Sequence, residues 1–215
     1  MGYNKSMSSR GPLAPKEFYH LYNRGTDKRK IFDTKSDYER FLALLYLSNS
    51  VNPVHVNNER YRGSTLVERL ALERGEPLVS IAAYCLMPNH FHLLVQEREE
   101  GGISKFMQKL VTGYTMYYNT KNERGGALFQ GKFKSEHAGE DRYLKYLLAY
   151  IHLNPSKFTK PEEYLHSSYL DFAGEDRPQG KIIDRAVLPN YFPNPKDFDK
   201  EMKTWLRYRT EVEPR

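Results

Sequence analysis

The sequence predicts an α+β domain in which helices pack on an antiparallel sheet. Three observations carry this. A Tyr/Phe-rich run at residues 17–23 (EFYHLYN) reads as a strand. Two apolar runs, 78–86 and 90–96, flank the turn signal Met87-Pro88-Asn89 and read as an antiparallel hairpin. Stretches of helical apolar spacing follow the order strand, helix, hairpin, helix, helix, which lacks the strict alternation of a parallel βαβ sheet.

Taken in order, residues 1–16 are polar, contain Gly11, Pro12 and Pro15, and are expected to form a flexible N-terminal tail with no signal-peptide apolar stretch. After the first strand, Arg24-Gly25-Thr26-Asp27 turns the chain. Ser36 with Glu39 predicts a capping box. Tyr38, Phe41, Leu42, Leu45 and Tyr46 then repeat at helical spacing, predicting an amphipathic helix over 37–49. Residues 51–64 read as irregular. Thr65 and Glu68 suggest a shorter helix to about Arg74, ended by Gly75, Glu76 and Pro77. After the hairpin, apolar residues at 103, 106, 107, 110, 114 and 117 predict a helix despite Gly113. Residues 124–133 (RGGALFQGKF) form a Gly-rich, basic, aromatic loop. Residues 142–153 form another helix, stopped by Pro155. Beyond Ser167 the chain becomes acidic and Pro-rich, and Asn194-Pro195 starts a short helix to about Leu206. The expected organisation is a tail (1–16), one domain (17–170) and a C-terminal extension (171–215).

Composition narrows the function. The 215 residues carry 33 Lys and Arg against 27 Asp and Glu, a formal net charge of +6, with 17 Tyr and a single Cys. One cysteine, Cys85, excludes an intrachain disulfide and suits a reducing compartment, so a cytoplasmic location is expected. No stretch approaches the roughly 18 apolar residues of a membrane span. The charge is uneven: residues 101–160 hold ten basic and four acidic groups, an excess equal to that of the whole chain. A basic segment that also carries aromatic rings makes nucleic acid the first partner to test, since phosphates attract cations and bases stack on rings.

Two groups of residues can carry chemistry. In His90-Phe91-His92, alternation along a strand sends both imidazoles to one face and Phe91, Leu93 and Val95 to the other. Two imidazoles so placed can grip one divalent cation, although the pattern alone is weak and, taken bare, is more often a pair of surface or structural histidines. In the helix at 142–153, Tyr150 and Asn154 are four apart and share a face, continued by Tyr143 and Leu147, while Leu144, Leu148 and Ile151 lie on another. A lone helical tyrosine is usually a boundary residue with its hydroxyl in water.

Together these pieces resemble a known family. MPNHFHLL at 87–94, LFQGKFK at 128–134 and AYIHLNP at 149–155, in that order, look like the REP-associated tyrosine transposases, members of the single-tyrosine HUH endonucleases. The resemblance runs from about Phe18 to Leu170. Ser167-Ser168 and Tyr169 fit the end-of-domain pattern, and Leu165 stands where an aromatic residue is frequent.

The resemblance implies a ferredoxin/RRM-like antiparallel sheet flanked by helices, the HUH endonuclease fold. It implies a metal-dependent single-stranded DNA endonuclease and strand transferase that cleaves near hairpins through a covalent 5′-phosphotyrosine. His90 and His92 match the metal-binding histidines, Tyr150 the nucleophile, and Asn154 the polar residue one turn later that completes the metal site. The implied cofactor is Mg²⁺ or Mn²⁺, with Mn²⁺ expected to bind more tightly to imidazole. The implied partner is single-stranded DNA with hairpin or palindromic elements, which places the protein at the nucleoid when bound; monomer and homodimer both fit. For backbone contacts the sequence offers Arg124, Lys132 and Lys134 in the Gly-rich loop and Lys105 and Lys109 on the preceding helix. Phe129 and Phe133 read as core aromatics more readily than as stacking groups, and His137 and His152 as structural. The competing expectation is a non-catalytic, domesticated module that binds palindromes.

Overall fold

The computed structural model describes residues 13–53 and 63–212. Most of the expected tail and of the irregular stretch after residue 51 lies outside the described residues. Four strands form one antiparallel sheet in the order β2-β3-β1-β4: β1 (Phe18–Arg24), β2 (Val79–Met87), β3 (His90–Glu97) and β4 (Lys134–His137). The helices are α1 (Lys35–Leu47), α2 (Leu66–Leu70), α3 (Gly102–Lys121), α4 (Asp141–His152), α5 (Tyr169–Phe172) and α6 (Pro195–Val212).

Period-two alternation explains how the sheet buries both faces. Leu21, Phe91, Leu93 and Val95 point into a core shared with α1 and α3. Ala83, Cys85 and Leu94 point the other way, into a second core built with α4, α5 and α6. Strands β2 and β3 are therefore apolar on both sides, which is why they read as continuous runs rather than alternating ones. The C-terminal segment closes the second core: Phe172, Phe192, Phe198 and Met202 are buried in it.

Several local features differ from the sequence expectation. Helix α1 starts two residues early, at Lys35, because Thr34 and Asp37 form the capping box in place of Ser36 and Glu39. The Thr34 amide donates to Asp37 Oδ2 at 2.9 Å, the Asp33 amide at 3.0 Å, and Lys121 pairs with Asp37 Oδ1 at 2.6 Å. Asp37 is thus a cap and a tie between α1 and α3. Burial pushes its pKa up, but Lys121 and the two amides prevail and hold it below the ordinary carboxylate value. Helix α2 does begin at the Thr65/Glu68 box but ends at Leu70. Gly113 has a packing reason: a Cβ there would lie 3.3 Å from Leu44 Cδ2, so glycine lets α3 approach α1. Leu147 is buried rather than beside Tyr150 on the open face. Strand β4 was not legible: KSEH is polar, short and on an edge, with no apolar alternation to mark it.

Candidate active site

Strand register builds the site before any helix is placed. Residues directly opposite in an antiparallel pair project to the same face. Arg24 lies opposite His90, Tyr22 opposite His92 and His20 opposite Leu94. On the other edge of β1, Tyr22 faces Lys134 and His20 faces Glu136. One face of three strands therefore presents His90, His92, His20, Tyr22, Arg24, Lys134 and Glu136, and α4 crosses that face with Tyr143, Tyr146 and Tyr150.

The rings converge. The His90 and His92 rings are 5.0 Å apart and nearly perpendicular. Tyr150, half-buried, sits edge-on to His92 at 5.4 Å and to His20 at 5.9 Å. Asn154 begins the 3-10 turn that Pro155 forces after α4. Its Nδ2 donates to the Tyr150 carbonyl at 3.0 Å, and its side chain is hydrogen-bonded to His90. The structure thus brings together all four residues that the motifs singled out.

Burial sets the protonation of the imidazoles. It pushes the His90 pKa down to about 4, with Arg24 and Lys157 adding repulsion. It pushes His92 well below its ordinary value, with His20 and His90 adding to the effect. Both rings are neutral at pH 7, so each offers a lone pair. His92 Nδ1 is engaged by His20 Nε2 at 2.8 Å, and His90 Nδ1 by Asn89 Oδ1 at 2.6 Å. In His92 this leaves Nε2 as the donor atom, while the His90 ring is held between Asn89 and Asn154. Two neutral imidazoles and a carboxamide beside them fit a divalent cation with nitrogen and oxygen preference.

Behind this pair lies a relay that sequence reasoning missed. His20 is 4 % exposed and stacks on His92, with ring centroids 5.0 Å apart. Its Nδ1 lies 3.8 Å from Glu136 Oε2, an electrostatic contact rather than a hydrogen bond. Glu136 is held at a pKa of about 2 by His20 and by the hydroxyls of Tyr22, at 2.8 Å, and Tyr143, at 3.3 Å. A charged carboxylate, a buried imidazole and a candidate ligand are thus in line, the arrangement that fixes tautomer and ring orientation at metal-binding histidines. Tyr22 has its own pKa raised by burial and by Glu136.

The cations proposed for DNA separate into groups. Lys132 and Lys134 are exposed at the edge of the site, and Lys134 stands 6.0 Å above the Tyr22 ring. Arg124 braces its own turn, donating to Asn119 Oδ1 and to the Ala127 carbonyl. Lys105 and Lys109 are on α3, which packs on the opposite face of the sheet, and Lys109 donates to the Ser50 and Asn52 carbonyls. The missed cations are Arg24 and Lys157, which act directly on His90. Phe129 is buried against Phe91. His152 is buried and bonded to Ser168 Oγ at 2.8 Å, and His137 to Glu17 at 2.7 Å.

Residues 54–154 match the family model described as transposase IS200 like, a stretch that contains His90, His92, Tyr150 and Asn154 and stops short of His20. No curated protein sequence matches the chain. A solved structure described as a REP-associated tyrosine transposase bound to a REP hairpin is similar at 12% identity with a TM-score of 0.52, covering 87% of this chain and 99% of that one. At that identity the likeness establishes the fold, an antiparallel sheet flanked by helices. Among the described residues no helix is long and apolar enough to cross a membrane. The stretch 54–154 is thus similar to the IS200-like transposases, and the fold of the chain is that of the hairpin-bound transposase structure.

Proposed function

We propose that the protein is a metal-dependent single-stranded DNA endonuclease and strand transferase that works beside hairpins. The observation that supports this best is the meeting of Tyr150 with His92 while Asn154, one turn on, reaches His90. Nucleophile and third ligand are thereby fixed by one helix end against one strand. The hairpin-bound structural neighbour and the exposed Lys132, Lys134, Arg24 and Lys157 support a folded single strand as ligand.

The Tyr150 hydroxyl attacks a phosphodiester. A Tyr Oη–phosphorus bond forms, the bond from phosphorus to the departing 3′ oxygen breaks, and that oxygen leaves as a 3′-hydroxyl once protonated. A second 3′-hydroxyl reverses the step and joins new strands, so the ester energy is conserved and no ATP is consumed. A phenol of ordinary pKa near 10 is mostly protonated at neutral pH and needs charge stabilisation at phosphorus. Mg²⁺ or Mn²⁺ held by His90, His92 and Asn154 would supply it as a Lewis acid. Arg24 and Lys157 add fixed positive charge at the same place, and His20 with Glu136 keeps His92 turned toward the site. In this reading the protein acts in the cytoplasm at the nucleoid.

The test is incubation of the protein with hairpin-bearing single-stranded DNA and Mn²⁺, followed by a denaturing gel. A covalent adduct is expected that disappears with chelator and in Tyr150→Phe. Binding without any adduct, indifferent to chelator and to Tyr150, would instead establish a non-catalytic palindrome-binding module.

A further inference from the structure

Beside Tyr150 there is a cavity of about 120 Å³ that the chemistry above does not use. Its walls are aromatic and come from two helices. Tyr146 and Tyr150 on α4 stack at 6.1 Å, Trp205 on α6 meets Tyr146 edge-on at 5.6 Å, and Tyr208 stands against Trp205 at 6.1 Å. Arg209 closes one end, its guanidinium donating to the Leu153 carbonyl at 3.2 Å. The indole is held in place: Trp205 Nε1 donates to Glu201, which also pairs with Lys145 at 3.0 Å. Tyr146 is 41% and Tyr208 57% exposed, so the aromatic lining is presented to solvent and not sealed in the core.

Building on the assignment of Tyr150 as nucleophile, we propose that this cavity is a nucleobase subsite, occupied by the base of a nucleotide that flanks the attacked phosphate. The argument is one of continuity. Tyr150 is at once the proposed nucleophile and a wall of the cavity. A base is joined to its phosphate through a single sugar, so a phosphate at the Tyr150 hydroxyl delivers a neighbouring base to this aromatic lining. Ring faces suit any base, which makes stacking the natural mode of capture, and the Arg209 guanidinium complements the strand's charge. The α6 rings thereby position the strand for attack at Tyr150.

The chain has a single tryptophan, Trp205, so its emission reports on this cavity alone. First, the cleaved linkage is mapped from the adduct that wild-type protein forms with hairpin-bearing single-stranded DNA. Full-length Tyr150→Phe protein is then titrated with the same oligonucleotide and with two versions, each abasic on one side of that linkage. The intact oligonucleotide is expected to quench Trp205. One of the abasic versions is expected to lose the quench and to bind roughly ten- to a hundredfold more weakly, the range that stacking one base on aromatic residues supplies. Tyr208→Ala, at an exposed position, is expected to reduce binding of the intact oligonucleotide and not of the abasic one. If the adduct forms but both abasic versions quench and bind like the intact DNA, the subsite is wrong and the nucleophile stands. If no adduct forms on Tyr150, both readings fall.

Discussion

Replacing His20 by phenylalanine keeps a buried ring and removes the 2.8 Å bond to His92 Nδ1 together with the contact to Glu136. His92 is 6% exposed, so its lost partner is not readily replaced from bulk solvent. Leaving a buried polar nitrogen unpaired costs about 1–3 kcal/mol. Loss of the partner that orients a metal-binding histidine costs about 10–100-fold in metal affinity or activity. The first is a cost in stability and the second a loss in affinity, and at about 1.4 kcal/mol per decade the two are of similar size. The expected result is a shift of the Mn²⁺ concentration for half-maximal adduct formation upward by roughly 10–100-fold, with most of the rate recovered at saturating Mn²⁺. His20→Gln, which restores a polar partner, is expected to recover part of the shift. Calorimetric titration of Mn²⁺ checks the binding component separately, and a thermal melt confirms that the variant folds. A folded His20→Phe protein with the wild-type Mn²⁺ dependence would refute the positioning role.

Other perturbations separate the structural from the functional groups. Asp37→Ala removes a buried carboxylate that caps α1 and pairs with Lys121, and unfolding in urea is expected to show a loss of about 3–5 kcal/mol; a loss under 1 kcal/mol would mean the tie between α1 and α3 is dispensable. Lys132→Gln and Lys134→Gln are each expected to lower the slope of log binding constant against log salt by about 1, whereas Lys105→Gln on the far face leaves it unchanged; equal effects from all three would remove the distinction between the two faces. Burial holds His152 at a pKa of about 3, well under its ordinary value near 6.5. Between those values the unfolded chain binds the extra proton. Stability is therefore full above about pH 6.5 and falls as pH drops, by up to about 1.4 kcal/mol per unit from this group. His166, at about 4, adds to the same slope. Urea midpoints between pH 7 and 5 check this, and a His152→Gln variant with an unchanged slope would contradict it.

What was legible in the sequence follows from the kind of spacing involved. His90 and His92 are two apart on a strand, and Tyr150 and Asn154 four apart across a helix end, so each pair's common face is set by local geometry. The hairpin and the periodic helices were readable for the same reason. His20 and Glu136 were not, because their place depends on the register of β1 against β3 and β4, which long intervening segments do not encode. The edge strand β4 has no apolar face to announce it. Ser36 and Glu39 matched the capping pattern by spacing, whereas the cap the fold uses is Thr34 with Asp37, whose carboxylate also pairs with Lys121 on α3. The charge count singled out a segment but could not assign faces: Lys105 and Lys109 belong to it and sit behind the sheet, while Arg24, 66 residues before His90, lies directly across from it.

The central claim is that Tyr150, out of 17 tyrosines, takes the phosphate. It is tested most directly by mass spectrometry of the protein–DNA adduct after nuclease and trypsin digestion. Cleavage after Lys145 and Lys157 leaves a peptide from Tyr146 to Lys157 that carries both Tyr146 and Tyr150. Fragmentation is predicted to place the nucleotide on Tyr150. A nucleotide on Tyr146, Tyr143 or Tyr22, which share the same face, would contradict the account.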